Sequence, residues 1–362
     1  DALTISGGGQ FLVFSAGGYG LLPIFTLNDV TIADGINVNT ASPWYESGAC
    51  IFAVAGAVVL NRVTVTECHS TFLGGVGGGG AVEGAGLLQI TDSTISDSSV
   101  DAVGGNTAQG GGAWVGARME VVRSTITGNR VSAPLALDGY GGAQATGGGG
   151  VYSAGDVIVI DSTITSNVVE ATDPGENGCG GATLARGTIT IDSSTVSGNT
   201  SDGDGGGLCK LLSMYLHDET KIAVGNSTIT GNIAGGAGGV LVSQRAATIA
   251  NSTIAFNDST LGGAVMFRVA DIDYSPPVTT LGLQSSIIAS NAADAGAPYA
   301  QDLAVDAQLI VDGANNLVLY ADPYIALPPD TFATDLGLLP LSWNGGPAHT
   351  LARGPGSSGI DA

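Results

Sequence analysis

Side chains capable of chemistry recur along this chain at regular intervals, and the carboxylates come first. Asp161 and Asp192 stand three and four residues before Ile164 and Val196, near-equivalent places in neighbouring repeats. Two carboxylates held side by side could do acid–base work or hold calcium, and Arg186 or Arg245 would supply a cationic partner. Against that use, Asp29, Asp92, Asn226 and Asn251 fill the same column, with Asn61 displaced by one. Asp and Asn repeated at one corner bond to backbone amides, so the column reads first as a corner ladder.

Arginine shows a second order. Arg118, Arg186, Arg245 and Arg268 each follow a glycine corner by five or six residues, half of the chain's eight arginines. They read as an anion-binding stripe or as cross-repeat ion pairs, and Asp156, placed in the same column, favours the pairs. Hard oxygen ligands gather at Asp202 and Asp204 and at Asp271 and Asp273. Calcium is the one cofactor these suggest, although neither site has EF-hand spacing. His69, His217 and His349 are scattered and offer no zinc pattern. Hydroxyls come in pairs two residues apart, at Thr125 and Thr127, Thr163 and Thr165, and Thr228 and Thr230.

These columns exist because the chain repeats itself. Triplets centred on Ile32, Val65, Ile95, Ile126, Ile164, Val196, Ile229, Ile254 and Ile288 follow one another at a period that marks a stacked-repeat architecture, and Thr4-Ile5-Ser6 resembles one more. A glycine corner precedes the centre at a nearly constant offset, as Gly80, Gly112, Gly150, Gly181 and Gly239 do before Ile95, Ile126, Ile164, Val196 and Ile254. Asn129, Asn167, Asn199, Asn232, Asn257 and Asn291 follow it by three. A unit this short, β-branched and without a helical period, cannot bury its apolar face alone and must stack on copies of itself. The expected fold is all-β: a right-handed parallel β-helix of nine to ten coils, the central Ile and Val inside and Thr outside. Repeats span 1–300, and 301–362 forms a final coil and a cap, the repeat being lost after Asn315 where prolines accumulate. The long excursions from Arg130 to Thr146, Cys209 to Lys221 and Arg268 to Leu283 are where a groove could form.

Composition limits the partners. Ten Lys and Arg against 32 Asp and Glu leave a net charge of −22, which repels nucleic-acid phosphates, so no nucleic-acid partner is expected. The longest apolar run, Cys50 to Leu60, is too short to cross a bilayer, so no transmembrane segment is expected either. Only 12% of residues are charged and glycine is abundant, at 59 residues, a surface suited to an exported protein whose signal peptide has been removed. Export would oxidise the four cysteines. Cys179 lies two residues before its glycine corner and Cys209 two after its own, about 13 Å apart along regular strands and beyond disulfide reach unless an irregular loop at Asn177-Gly178 brings them together. The expected pair is therefore Cys50 with Cys68.

Certain motifs resemble a known family. Gly262-Gly263-Ala264-Val265 and the Ile-Ala-Phe-Asn corner at 254–257 resemble bacterial β-helix repeats of the polymorphic outer-membrane and pectin-lyase-like type. The tail, with Gln301-Asp302-Leu303, Asn315-Asn316-Leu317-Val318, Leu336-Gly337-Leu338-Leu339-Pro340-Leu341 and Asn344-Gly345-Gly346-Pro347, resembles the choice-of-anchor Q module of bacterial surface proteins. That resemblance implies a secreted or cell-surface location and no particular reaction.

The first functional reading is therefore a non-enzymatic, exported surface rod, adhesive or structural, with cell-surface or matrix glycans as partners. Leu3 to Ser6 already reads as a coil strand, so the N-terminal edge is bare and is expected to self-associate. Two alternatives stay open. Carboxylates and arginine together could make a polysaccharide lyase or glycoside hydrolase. Thr pairs about 6.7 Å apart on coils about 4.8 Å apart would form the flat hydroxyl lattice of an ice-binding β-helix.

Overall fold

β-Branched triplets with a period of two should form strands, and in a computed structural model of the chain they do. The structure describes residues 3–17, 24–39, 48–54, 56–73, 76–103, 107–133, 146–171, 178–211, 221–243, 246–267, 279–306, 308–331, 336–345, 349–355 and 357. These residues form no helix. Successive coils wind a right-handed parallel β-helix. A regular coil carries four strands in fixed order, typified by Val82–Gly84, Leu87–Thr91, Thr94–Ser96 and Ser99–Ala102. Stacking builds four parallel sheets of ten, ten, eleven and nine strands, first to fourth in the order the chain visits them.

The triplets form the third sheet. Thr64, Thr94, Thr125, Thr163, Thr195, Thr228 and Thr253 pair in one unbroken register, so loops absorb the unequal repeat lengths. The eleven strands run from Leu3–Ser6 to Leu317–Val318. The last of these corrects the expectation that the repeat ends at Asn315. Ala321 and Ala326 also bridge to Leu303 and Ile310, so one more turn begins before the chain leaves the solenoid. An antiparallel hairpin of Leu338–Ser342 and Thr350–Arg353 follows.

The nine central Ile and Val residues are fully buried and stack as one column of the main core. A single coil would leave that column wet, so apolar burial rewards only the stack. Through its middle coils the first sheet is buried on both faces, because the segment entering the glycine corner folds back over its outer side. Trp114, Tyr152, Leu184 and Cys209 form an apolar layer there with Cys179. A side chain on Gly78 would strike the Trp114 ring, which explains glycine where the segment crosses.

That fold-back corrects the cysteine expectation. Cys50 and Cys68 are bridged with Cα atoms 5.6 Å apart, and Cys179 and Cys209 are bridged as well, at 5.7 Å. The wide separation expected from sequence assumed a straight strand through the corner. Gly180, at φ 75°, instead turns the chain so that Cys179 lies over the first sheet, bridging to Asp204 of the next coil.

Two polar ladders line the corners on either side of the third sheet. Asn129, Asn167, Asn199, Asn232, Asn257 and Asn291 are buried. Each Nδ2 donates to the Oδ1 one coil on, as from Asn167 to Asn199 at 2.9 Å, and that Oδ1 also accepts the Asn167 backbone N–H at 3.0 Å. Nδ2 further reaches the carbonyl of the preceding coil's central residue, Ile126 for Asn167, at 3.1 Å. Such an amide is fully satisfied only between two copies of itself. On the other side Ser93, Ser124, Ser162, Ser194, Ser227, Ser252 and Ser286 each accept a backbone N–H from the coil before.

Both ladders need terminators, and the last coil supplies them. Asn316 Oδ1 accepts the Ser286 N–H at 3.1 Å. Asp302, aligned with Ala264 where Gly112 and Gly150 stand in earlier coils, turns its carboxylate inward. Its Oδ1 accepts from Asn291 Nδ2 at 2.7 Å and its Oδ2 from the Tyr320 N–H at 2.8 Å. Burial pushes this carboxyl up to about 6, against the opposing pull of the Asn291 and Tyr320 donors. The folded chain thus binds this proton more tightly than the unfolded chain. The stability linked to it is full below the ordinary aspartate value near 4 and is lost as pH rises through about 6, on the order of 3 kcal/mol in all. Urea unfolding of wild type measured against Asp302→Asn should show the difference falling by that amount between pH 4 and pH 7. A pH-independent difference would mean that the site holds a permanent carboxylate.

Candidate ligand-binding face

The corner between the second and third sheets is built by a residue in the left-handed region just before each ladder serine, or before Val30 and Val63 in the first coils. Asp29, Arg62, Asp92, Arg123, Asp161, Ser193, Asn226, Asn251 and Ser285 occupy it, with φ between 47° and 55°. Asp and Asn tolerate this backbone best. Arginine does not share that preference, yet its side chains here find partners along the column. Arg62 donates through Nε and Nη2 to both carboxylate oxygens of Asp29, at 2.5 and 2.7 Å, and Arg123 does the same to Asp92, at 2.7 and 2.8 Å. The exposed corner therefore alternates in sign from Asp29 to Asp161. The neighbouring guanidinium holds Asp29 and Asp92 below the usual carboxylate range, and the carboxylates raise both arginines.

Several sequence expectations change in this frame. Asp161 and Asp192 are not equivalent. Asp192 pairs with Ile160 and Gly225 at the end of the second sheet and accepts from Asn226 Nδ2 at 2.9 Å, whereas Asp161 sits on the corner beside Arg123. The four-arginine column also dissolves. Arg118 lies on the second sheet opposite Asp156, while Arg186 follows Ala185, whose partner is Ser153, at the turn leaving the first sheet. Arg118 and Asp156 align with Thr188, two residues after Arg186, so the count from the nearest glycine had set the two arginines side by side when they belong to different elements. Arg118 pairs with Glu120 at 2.6 Å, and the Asp156 carboxylate accepts the Thr188 N–H at 2.8 Å instead. Arg245, Arg268, Asp271 and Asp273 lie outside the described residues.

The arginines that organise the surface are Arg62, Arg123 and Arg130, none singled out from sequence. Arg130, on the fourth sheet, bridges Asp101 at 3.0 Å in the coil before and Glu170 at 2.5 Å in the coil after. A signal for the first two was present, because each precedes its central residue by three, as Asp29, Asp92 and Asp161 do. Asp204 Oδ1 takes the Ala237 N–H at 2.8 Å, while Asp202 is exposed. Among the described residues no three His, Cys, Asp or Glu side chains gather around a point where a metal could sit.

The outer face of the third sheet lies between two unlike edges. On one side is the alternating ladder. On the other, Asp34, Glu67 and Asp97 stack in consecutive coils, and the Glu67 carboxyl is pushed up by its hydrogen bond and proximity to Asp34. Between them an open depression of about 400 Å³ is lined by Arg123, Ser124, Thr125, Asp161 and Thr163.

The C-terminal hairpin limits this face. Thr195 Oγ1 donates to the His349 carbonyl at 2.9 Å, across 154 residues of chain. Thr195, Thr228 and Thr230 keep 1%, 3% and 5% of their surface exposed, whereas Thr125, Thr127, Thr163 and Thr165 stay half-buried. The hairpin reaches Thr195 directly, and Thr228 and Thr230 on the next strand are as deeply buried. The tail thus folds back along the rod's side as well as over its end. Thr228 and Thr230 accordingly leave the set of exposed ligand-binding residues.

No family model, curated protein or solved structure matches the chain. With part of the hydroxyl lattice covered and the rest broken by Ala33, Ala255 and Ala289, nanolitre osmometry of the purified protein should show no thermal hysteresis. Measurable hysteresis would mean that the Thr residues left open on the third sheet suffice for ice.

Proposed function

We propose that this protein is an exported, non-enzymatic surface rod that binds glycans along the outer face of its third sheet. The observation that carries the reading is the open depression where Arg123 and Asp161 meet the hydroxyls of Thr125 and Thr163 on a straight, rigid sheet. Donors and acceptors mixed on a preformed surface suit the hydroxyls of an extended polymer. Two disulfides that use all four cysteines fit an oxidising compartment. The acidic, charge-poor surface and the tail's resemblance to the choice-of-anchor Q module favour a bacterial cell surface.

The lyase alternative is weaker on chemical grounds. A catalytic base needs a pKa near the working pH. Here Arg62, Arg123 and Arg130 are each pushed the other way, chiefly by a hydrogen bond to a carboxylate. A glycan array run beside a polysaccharide-degradation screen is expected to show binding without turnover. Turnover of any uronic-acid polymer would replace this reading with the enzyme.

Self-association belongs to the same proposal. Leu3, Phe11 and Ile24 are exposed at the edge formed by Leu3–Ser6, Phe14–Gly17 and Ile24–Asn28, each of which pairs on one side only among the described residues. A strand edge with apolar side chains is a template for another chain. Light scattering should report a mass that grows with concentration, and a monomer at millimolar concentration would remove this part of the proposal.

A further inference from the structure

The hairpin brings an aromatic side chain to the boundary between the covered and open parts of the threonine face. Trp343, just beyond Ser342 at the hairpin tip, keeps 63% of its surface exposed. Its ring meets that of His349 edge-on, with centroids 5.7 Å apart. The His349 carbonyl is the group that holds Thr195 at 2.9 Å. Thr195 pairs with Thr163, one strand and about 4.8 Å away, and Thr163 lines the depression with Thr125, Arg123 and Asp161. Indole and depression are thus joined through one threonine and one strand spacing. An indole exposed beside a polar depression offers a flat apolar face and one N–H donor on which a partner held in that depression can pack.

We propose that Trp343 is the stacking platform of a saccharide subsite that continues into this depression, and that the subsite takes neutral hexose units. The inference rests on the glycan-binding reading above and adds the residue and the sugar class. Neutrality follows from the charges. Arg123 spends Nε and Nη2 on Asp92, leaving Nη1 for a ligand, and its charge is already offset. The Asp161 backbone N–H bonds to the Asp192 carbonyl, but the Asp161 carboxylate accepts no hydrogen bond from another described residue, so it stands as an acceptor for sugar hydroxyls and a repellent for uronate carboxylates. The Asp34, Glu67 and Asp97 edge across the sheet and the net charge of −22 repel uronates further. Thr125 and Thr163 offer hydroxyls that donate or accept, and the C–H face of a hexose packs on the indole.

The test is titration of the whole protein with maltohexaose, cellohexaose and mannohexaose, with hexagalacturonate as the acidic comparator. Tryptophan emission and calorimetry are read together. Trp114 is stacked on Tyr152 away from this face, and Trp343→Phe serves to assign the emission change. At least one neutral sugar should shift the emission, with Trp343→Ala binding at least tenfold more weakly and Asp161→Asn also weakened, both variants keeping the wild-type melting profile. Equal affinity in Trp343→Ala would remove the platform, and binding of hexagalacturonate alone would overturn the neutral assignment. Either result leaves the glycan reading standing. Failure of every glycan, here and on the array, would sink that reading and this inference with it.

Discussion

The structure depends on the requirement that a buried amide be satisfied by its own copy. An asparagine turned into the core at a corner presents two donors and a two-lone-pair acceptor, and no single coil can meet them all. The next coil can, provided its asparagine stands at the same place to within a hydrogen bond. That condition locks the register more tightly than apolar packing alone, since aliphatic side chains tolerate small slips and a buried amide does not. The corner glycines pack against the same device. A Cβ at Gly112 or Gly150 would meet the ladder side chain at 3.0 or 3.1 Å, whereas the coils with Ala182, Val240 and Ala264 at that place accommodate one beside the same ladder.

A ladder of this kind creates its own problem at each end. At the C-terminal end Asp302 offers two acceptors and no obligatory donor, which ends the run of amides without orphaning Asn291. The cost is a desolvated carboxyl, and the pH dependence of the fold is concentrated there. At the N-terminal end the ladder fades through Ser98 and Cys68, whose backbone N–H groups bond onward to Asn129 and Ser98. Smaller side chains there need fewer partners, and Cys68 is tied off instead by its disulfide to Cys50.

Register fixed from within decides what the outside displays. Because each corner residue just before the serine ladder recurs one coil on, side chains there meet their own column, and opposite charges in alternate coils pair without any further design. Arg62 with Asp29 and Arg123 with Asp92 are consequences of that spacing. The threonine face inherits the same regularity. Its usable length is set by the tail, which begins as one more turn and then departs to lie along the rod.

The repeat, the parallel strands, the buried Ile and Val column and the asparagine column were legible in the amino-acid sequence, because each depends on local offsets that stacking preserves. Arg62 and Arg123 were legible too, at the same offset as Asp29, yet attention to residue type hid a column defined by backbone conformation. Three features were decided only in the tertiary structure. The pairing of Cys179 with Cys209 required a corner that folds the chain back over a sheet, which straight-strand distances cannot express. The separation of Arg118 from Arg186 turned on a two-residue offset at a turn, where counting from a glycine loses the register because Ala182 holds the place of Gly112 and Gly150. The contact of Thr195 with His349, whose ring Trp343 meets, joins segments from the middle and the end of the chain. No local offset encodes such a contact, since what brings the hairpin to that face is three-dimensional shape.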